Sequence, residues 1–284
     1  MKITNTGDRG LSLIRALVHG DSGAGKTTSL GTLPEKDTVI VALERSLLPL
    51  NDRNYKVLQV ESVADLREIL VALRKATVNP DGSVSLMMGK DYVDHVGDFK
   101  IVAFDSLSEI YVMFVKHLIE VDRRAMLEKR GTENKDGTIT PKELKIYEEM
   151  LQPEDYGLIY SRVMGLISAF NHLPIHTIFT CLTAWKDDKR TGITMKVPSL
   201  HNKLSSDIPA LFDLVFHMEG YVDQSTGQPV LGDDKKQVRV WRTFNDGVFL
   251  CKDSTGKLDQ FEIAHWPTIF KKILGNKKKE QADV

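Results

Sequence analysis

The stretch Gly20-Asp21-Ser22-Gly23-Ala24-Gly25-Lys26-Thr27-Thr28 places Gly20, Gly25, Lys26 and Thr27 at the fixed positions of GxxxxGK[ST]. Residues of these types at this spacing can hold a nucleoside triphosphate. Gly20, Gly23 and Gly25 let the backbone turn tightly and aim its N–H groups inward at an anion. A helix expected to begin in TTSLGTL adds its N-terminal dipole. Lys26 would reach the β- and γ-phosphates, and the Thr27 hydroxyl would hold a Mg²⁺ that bridges them, so ATP and Mg²⁺ are the expected ligands. A glycine-rich turn that matches by chance lacks the setting seen here. The apolar LSLIRALVHG precedes the loop and helix-forming letters follow it, which is the strand, loop, helix context the motif requires.

KIVAFDSLSEI supplies a second piece of chemistry. Four apolar residues, Ile101 to Phe104, lead to Asp105 at the strand's end, where a carboxylate can hold the metal from the other side. The next residue is Ser106, not Glu, so the carboxylate that polarises the attacking water has to come from elsewhere. Glu44 ends the apolar run TVIVALE and so sits at the carboxyl edge where parallel α/β sheets bind ligands, making it the candidate.

These residues need a sheet to hold them. LIRALVHG, Thr38 to Glu44, Lys56 to Val60, Lys100 to Asp105 and His176 to Trp185 read as strands, several of them near-continuous apolar runs of the kind covered by helices on both faces. Ser62 caps a helix to Ala76 that places Leu66, Ile69, Leu70 and Leu73 on one face. Helices are also expected over 108–130 and 152–173. Residues 78–98 read as a surface excursion, with Pro-Asp-Gly-Ser turn chemistry. Ala210 to Gly220 reads as a further strand, and VRVWRTF and VFLCKD around Asn245-Asp246-Gly247 as an antiparallel hairpin. The class is therefore α/β: a mostly parallel sheet flanked by helices, with an antiparallel C-terminal hairpin.

Residues 131–140 form a polar insertion. In Thr132 to Leu144, Asn134, Asp136, Gly137, Ile139, Thr140 and Glu143 imitate a calcium loop, but Thr132 stands where the first Asp ligand belongs. A turn followed by a helix with Thr140 as cap and Pro141 at its first position explains the same letters. The tail 275–284 is basic and expected to be disordered.

A chain of 284 residues with 42% hydrophobic residues suits one sizeable core, and a single domain over 1–284 is expected. With 38 basic and 39 acidic residues the net charge is −1, so any nucleic-acid surface must be local, and no membrane association is indicated. Cys181 and Cys251 lie in apolar runs and read as buried free thiols of a reducing compartment. No window has the length of a membrane span and no leader is apparent, so a cytoplasmic location is expected.

GDSGAGKTTSL, ALERSLLPL, KIVAFDSLSEI and FTCLTAW, in this order and spacing, resemble the ATPase core of the RecA recombinase superfamily. More narrowly, the chain resembles phage-encoded, core-only RecA-like proteins, a group that includes single-strand annealing recombinases. The resemblance implies a RecA-like P-loop NTPase fold with Glu44 as the catalytic carboxylate and Thr183 as the residue that senses the γ-phosphate; RecA itself has Gln there. It also implies that Lys252, where relatives carry Lys-Asp-Arg and this chain has Ser254 in third place, reaches a neighbour's γ-phosphate. The loop after the sensing strand, 186–206, is implied to contact single-stranded DNA. Trp185 would stack on bases and Lys186, Lys189, Arg190, Lys196 and Lys203 would track phosphates. Asp187 and Asp188 dilute that charge, and an ordinary solvated hairpin explains the same letters. The implied partners are single-stranded DNA, further copies of the chain in a ring or filament, and phage replication or recombination proteins, in the cytoplasm of a bacterial host. Two other readings stay open: an ATP-dependent switch acting on a protein partner in replication or packaging, and a small-molecule kinase, for which Asp187 to Arg190 makes a poor lid.

Overall fold

The computed structural model describes residues 13–43, 47–88, 94–123, 132, 133, 139, 140, 151, 153–188, 192–223 and 225–275. Along the chain come β1 (Arg15–Gly20), α1 (Lys26–Leu30), β2 (Thr38–Ala42), β3 (Lys56–Gln59), α2 (Val63–Lys75), β4 (Thr77–Val78), β5 (Val84–Met88), β6 (Asp94–Phe99), β7 (Ile101–Asp105) and α3 (Leu107–His117). Then follow β8 (Thr132–Glu133), β9 (Ile139–Thr140), α4 (Pro153–Asn171), β10 (His176–Asp188), β11 (Ile193–Pro198), α5 (Asn202–Asp207), β12 (Leu214–Gly220), β13 (Arg239–Arg242), β14 (Lys252–Asp253), β15 (Phe261–Ile263) and α6 (Trp266–Leu274).

One sheet runs in the order β15-β13-β12-β1-β10-β7-β2-β3, with β11 on β10 and β14 on β12. From β12 to β3 every neighbouring pair is parallel. Successive side chains of a strand face opposite ways, and here both faces are covered. Leu17, Val39, Val41, Phe104, Phe179 and Val215 pack with the side chains of α2, α3 and α4. Ala16, Val18, Ile40, Ala103, Ile178 and Phe216 pack with α1 and α6 on the other face. Two buried faces are why these strands read as unbroken apolar runs. The α/β class, the mostly parallel sheet and the antiparallel C-terminal end are as expected. Among the described residues no helix is long and apolar enough to cross a membrane.

Local chemistry explains what formed and what did not. The Ser62 hydroxyl accepts from Asp65 N at 3.2 Å and the Asp65 carboxylate accepts from Ser62 N at 2.8 Å, a reciprocal cap that starts α2. Residues 78–98, expected as a surface excursion, instead give most of a three-stranded meander, β4-β5-β6. The Pro-Asp-Gly-Ser letters do make a turn, closed by Gly82 N on Asn79 O at 2.9 Å between β4 and β5, but Val84, Leu86 and the adjoining Phe99 are buried in the core beside α2, so the segment is not a surface excursion. The helix expected over 108–130 is α3 followed by a π-helical turn over Leu118–Arg123; 124–130 lie outside the described residues. The strands on either side of Asn245-Asp246-Gly247 do not pair with each other. β13 and β14 both lie antiparallel along β12, and β13 takes β15 as its other neighbour. The reason lies in Asp246: its carboxylate accepts from Val248 N and Phe249 N, each at 2.9 Å, and from Arg242 at 2.8 Å, which turns the chain wide.

Candidate functional site

β1 is buried between β10 and β12 and delivers the loop at the sheet's carboxyl edge. A Cβ on Gly20 would meet the Met218 carbonyl oxygen at 2.8 Å, so the neighbouring strand itself demands glycine there. Gly23 and Gly25 adopt φ 75° and 102°, conformations that L side chains rarely take. The Ala24 N–H closes the turn on Asp21 O at 3.1 Å. The buried Lys26 ammonium folds back over the loop and donates to Gly20 O and Asp21 O, both at 2.9 Å.

The helix after the loop is shorter than the motif suggests. α1 covers only Lys26–Leu30, because Gly31, Thr32 and Leu33 form tight turns onto Thr28, Ser29 and Leu30 before Pro34. The Tyr55 hydroxyl closes off this end, within bonding distance of Leu30 O at 3.1 Å and Leu33 O at 2.7 Å. So short a helix has little macrodipole, which leaves the loop N–H groups and Lys26 as the groups that could meet an anion here.

Asp105 ends β7 with 2% of its surface exposed. Its Oδ2 accepts from the Thr27 hydroxyl at 2.7 Å, and its Oδ1 accepts from the Thr180 hydroxyl on β10. The carboxylate is thus gripped between the phosphate loop and the neighbouring strand, and the peptide that follows it, Asp105–Ser106, is cis. Thr180 was not singled out from the sequence; the available signal was a hydroxyl inside the apolar run of the strand beside Asp105. A hydroxyl and a carboxylate in contact at the foot of a phosphate loop offer the hard oxygen donors that Mg²⁺ takes. No group of three or more His, Cys, Asp or Glu among the described residues forms a metal site, so a bound ion would draw its remaining ligands from phosphate and water. The residues present fit Mg-ATP.

Ala42, the last residue of β2, lies beside Asp105, and Leu43 N donates to Asp105 O at 3.0 Å. The chain therefore leaves β2 next to the Asp105 carboxylate; Glu44 itself lies outside the described residues. Thr183 donates to Val197 O at 3.0 Å and lies 3.1 Å from His19 Nδ1, tying β10 to β11 and to β1. His19 directly precedes the loop and is fully buried. Its Nε2 bonds the Leu250 carbonyl at 2.9 Å, so Nε2 carries the proton, and burial lowers its pKa to about 4. The His217 ring is 4.9 Å away, and burial together with His19 lowers its pKa to about 2. Cys181 and Cys251 are buried free thiols, pushed up to about 11 and about 12 by burial.

The candidate DNA residues separate into different settings. Trp185 is 59% exposed on β10 and pairs across the strands with Lys196 on β11. The Lys196 ammonium lies 5.2 Å from the Trp185 ring centre and makes a 2.6 Å ion pair with Asp21 of the phosphate loop. Lys186 donates to the Ser206 hydroxyl at 2.6 Å, and the Lys203 ammonium sits 5.5 Å from the Tyr160 ring. Lys189 and Arg190 lie outside the described residues. So do Asn134, Asp136, Gly137 and Glu143 of the calcium-like letters. Lys252 donates to Phe212 O at 2.7 Å and pairs with Val215, level with Leu17 and below the loop edge of the sheet.

Residues 12–254 match the model of a family described as an AAA domain. No curated protein matches the chain.

Proposed function

The chain belongs to the AAA domain family of P-loop ATPases, and from that premise we propose that it binds and hydrolyses Mg-ATP and couples the nucleotide to single-stranded DNA in phage recombination or annealing. Lys26 and the loop N–H groups bind the phosphates. Thr27 and Asp105 take the metal side, with Thr180 fixing the Asp105 carboxylate. Mg²⁺, when bound, neutralises charge that develops on the phosphates. Glu44, two residues beyond β2, orients and polarises the attacking water. Thr183, at the junction of β10 and β11, links the nucleotide site to the hairpin.

The observation that carries the DNA reading is the Asp21–Lys196 ion pair. It joins the phosphate loop to the strand pair that exposes Trp185. A phosphate arriving at the loop competes with Asp21 for Lys196, and the hairpin's charge and aromatic face respond together. An exposed aromatic beside a lysine suits base stacking with phosphate contact. Assembly into a ring or filament, in which Lys252 would have to leave Phe212 O to reach a neighbour's nucleotide, belongs to the same proposal.

ATP turnover with and without a single-stranded oligonucleotide tests it, with Lys26→Ala as the inactive control. Strong stimulation supports the reading. Turnover indifferent to DNA would favour a nucleotide switch acting on a protein partner.

A further inference from the structure

Arg239 is the first residue of β13 and pairs with Gly220. Its side chain reaches back onto the phosphate loop. A Cβ at Gly25 would collide with the guanidinium, its Cζ lying 2.6 Å and its Cδ 2.7 Å from that position. Gly25 is therefore required twice, once by its φ of 102° and once by an arginine packed on it. The same strand shows how an arginine here is usually satisfied: Arg242 binds Glu219 at 2.9 Å and Asp246 at 2.8 Å. Among the described residues no carboxylate pairs with Arg239, and Asp21, the acidic residue of the loop, is taken by Lys196. Arg239 and Lys26 thus bring two positive charges to a loop whose N–H groups already favour an anion.

The loop has a metal side and an opposite side. Asp105 lies beyond β10, whereas β12 and β13 flank β1 on the other hand. A triphosphate whose γ end faces Thr27 and Asp105 therefore sends its nucleoside end toward β13. A cleft of about 810 Å³ opens there, walled by Gly23, Gly25 and Thr28 on one side and by Gly220, Gln237 and Arg239 on the other. That volume suits a small-molecule ligand.

Resting on the ATP reading above, we infer that this cleft takes the ribose and base, and that Arg239 binds the α- or β-phosphate where the nucleotide leaves the loop. The contact is common to ATP and ADP. Calorimetric titration of ATP and of ADP into wild-type, Arg239→Gln, Arg239→Lys and Lys26→Ala proteins tests it. Arg239 is exposed, so the Gln variant should melt at the wild-type temperature without nucleotide. Loss of one charge-assisted contact should weaken ATP and ADP alike by roughly 10- to 100-fold, with partial recovery in the Lys variant. Wild-type affinity of Arg239→Gln for both nucleotides, beside a Lys26→Ala protein that has lost them, overturns this inference alone. A loss confined to ATP overturns it too, by moving Arg239 to the γ-phosphate. A wild-type protein that binds neither nucleotide removes the ATP reading itself.

Discussion

Thr180→Val removes one hydroxyl from the grip on Asp105 while keeping the side chain's volume and its fitness for a strand. In the wild type both carboxylate oxygens are satisfied, Oδ2 by Thr27 and Oδ1 by Thr180, in a residue only 2% exposed. Without the Thr180 donor, Oδ1 has no replacement from solvent. An unsatisfied buried acceptor costs about 1–3 kcal/mol, more when charged. For a chain of 284 residues, whose unfolding entropy is roughly 0.6 kcal/mol/K, about 2 kcal/mol corresponds to a fall of roughly 3–4 °C in melting temperature. The carboxylate also loses the bond that fixes its orientation toward Thr27, so ATP turnover should fall by about 10-fold or more, in line with the cost of one lost positioning bond. Thermal melts and steady-state hydrolysis at saturating Mg-ATP measure the two effects. Thr180→Ser keeps the donor and should recover most of both. Wild-type stability and turnover in the Val variant would refute the reasoning. Equal damage in the Ser variant, which keeps the hydroxyl, would show that the donor alone does not hold the site and would count against the reasoning too.

Acid sensitivity follows from the histidines under the loop. Burial holds His19 and His217 neutral in the folded chain, at about 4 and about 2 against an ordinary value of 6.5. The unfolded chain therefore takes up protons first: stability is complete above about pH 6.5 and falls as pH drops toward 4, by roughly 1.4 kcal/mol per pH unit for each ring. Urea unfolding at pH 7, 6 and 5 should show that slope, and a flat profile would contradict it. Lys252→Met strips the donor from Phe212 O and should cost about 1 kcal/mol in urea unfolding. If Lys252 also serves a neighbour's site, its turnover loss should be rescued by mixing with Lys26→Ala protein; lost stability with full turnover would make the residue structural only.

Much of this site is written locally and could be read from the letters. The phosphate-loop motif is spelled by consecutive residues, and Gly23 and Gly25 carry its positive φ values. Asp105 is marked by the apolar run before it, and α2 by its Ser62 cap and apolar stripe. What escaped depends on chain segments meeting in space. Thr180 reaches Asp105 because β10 lies beside β7, and Lys196 reaches Asp21 across 175 residues. Arg239 meets Gly25 only because β13 joins the β12 edge. The letters Asn245-Asp246-Gly247 misled for the same reason. They suit a tight hairpin on their own, yet Arg242 and two backbone N–H groups engage Asp246 and open the turn. α1 stopped early because Gly31 and Pro34 follow it closely, a signal present in TTSLGTLP that the strength of the motif overshadowed.

In the function proposed above, the nucleotide at the phosphate loop would govern DNA binding by the β10–β11 hairpin through Asp21 and Lys196. Its most direct test is the affinity of a fluorescent single-stranded oligonucleotide, measured by anisotropy without nucleotide and with a non-hydrolysable ATP analogue, for wild-type and Lys196→Met proteins. The analogue should shift the wild-type affinity, with a salt dependence that reports phosphate contacts, and the shift should disappear in Lys196→Met. Absence of oligonucleotide binding, or an affinity that the analogue leaves unchanged in the wild type, would contradict it.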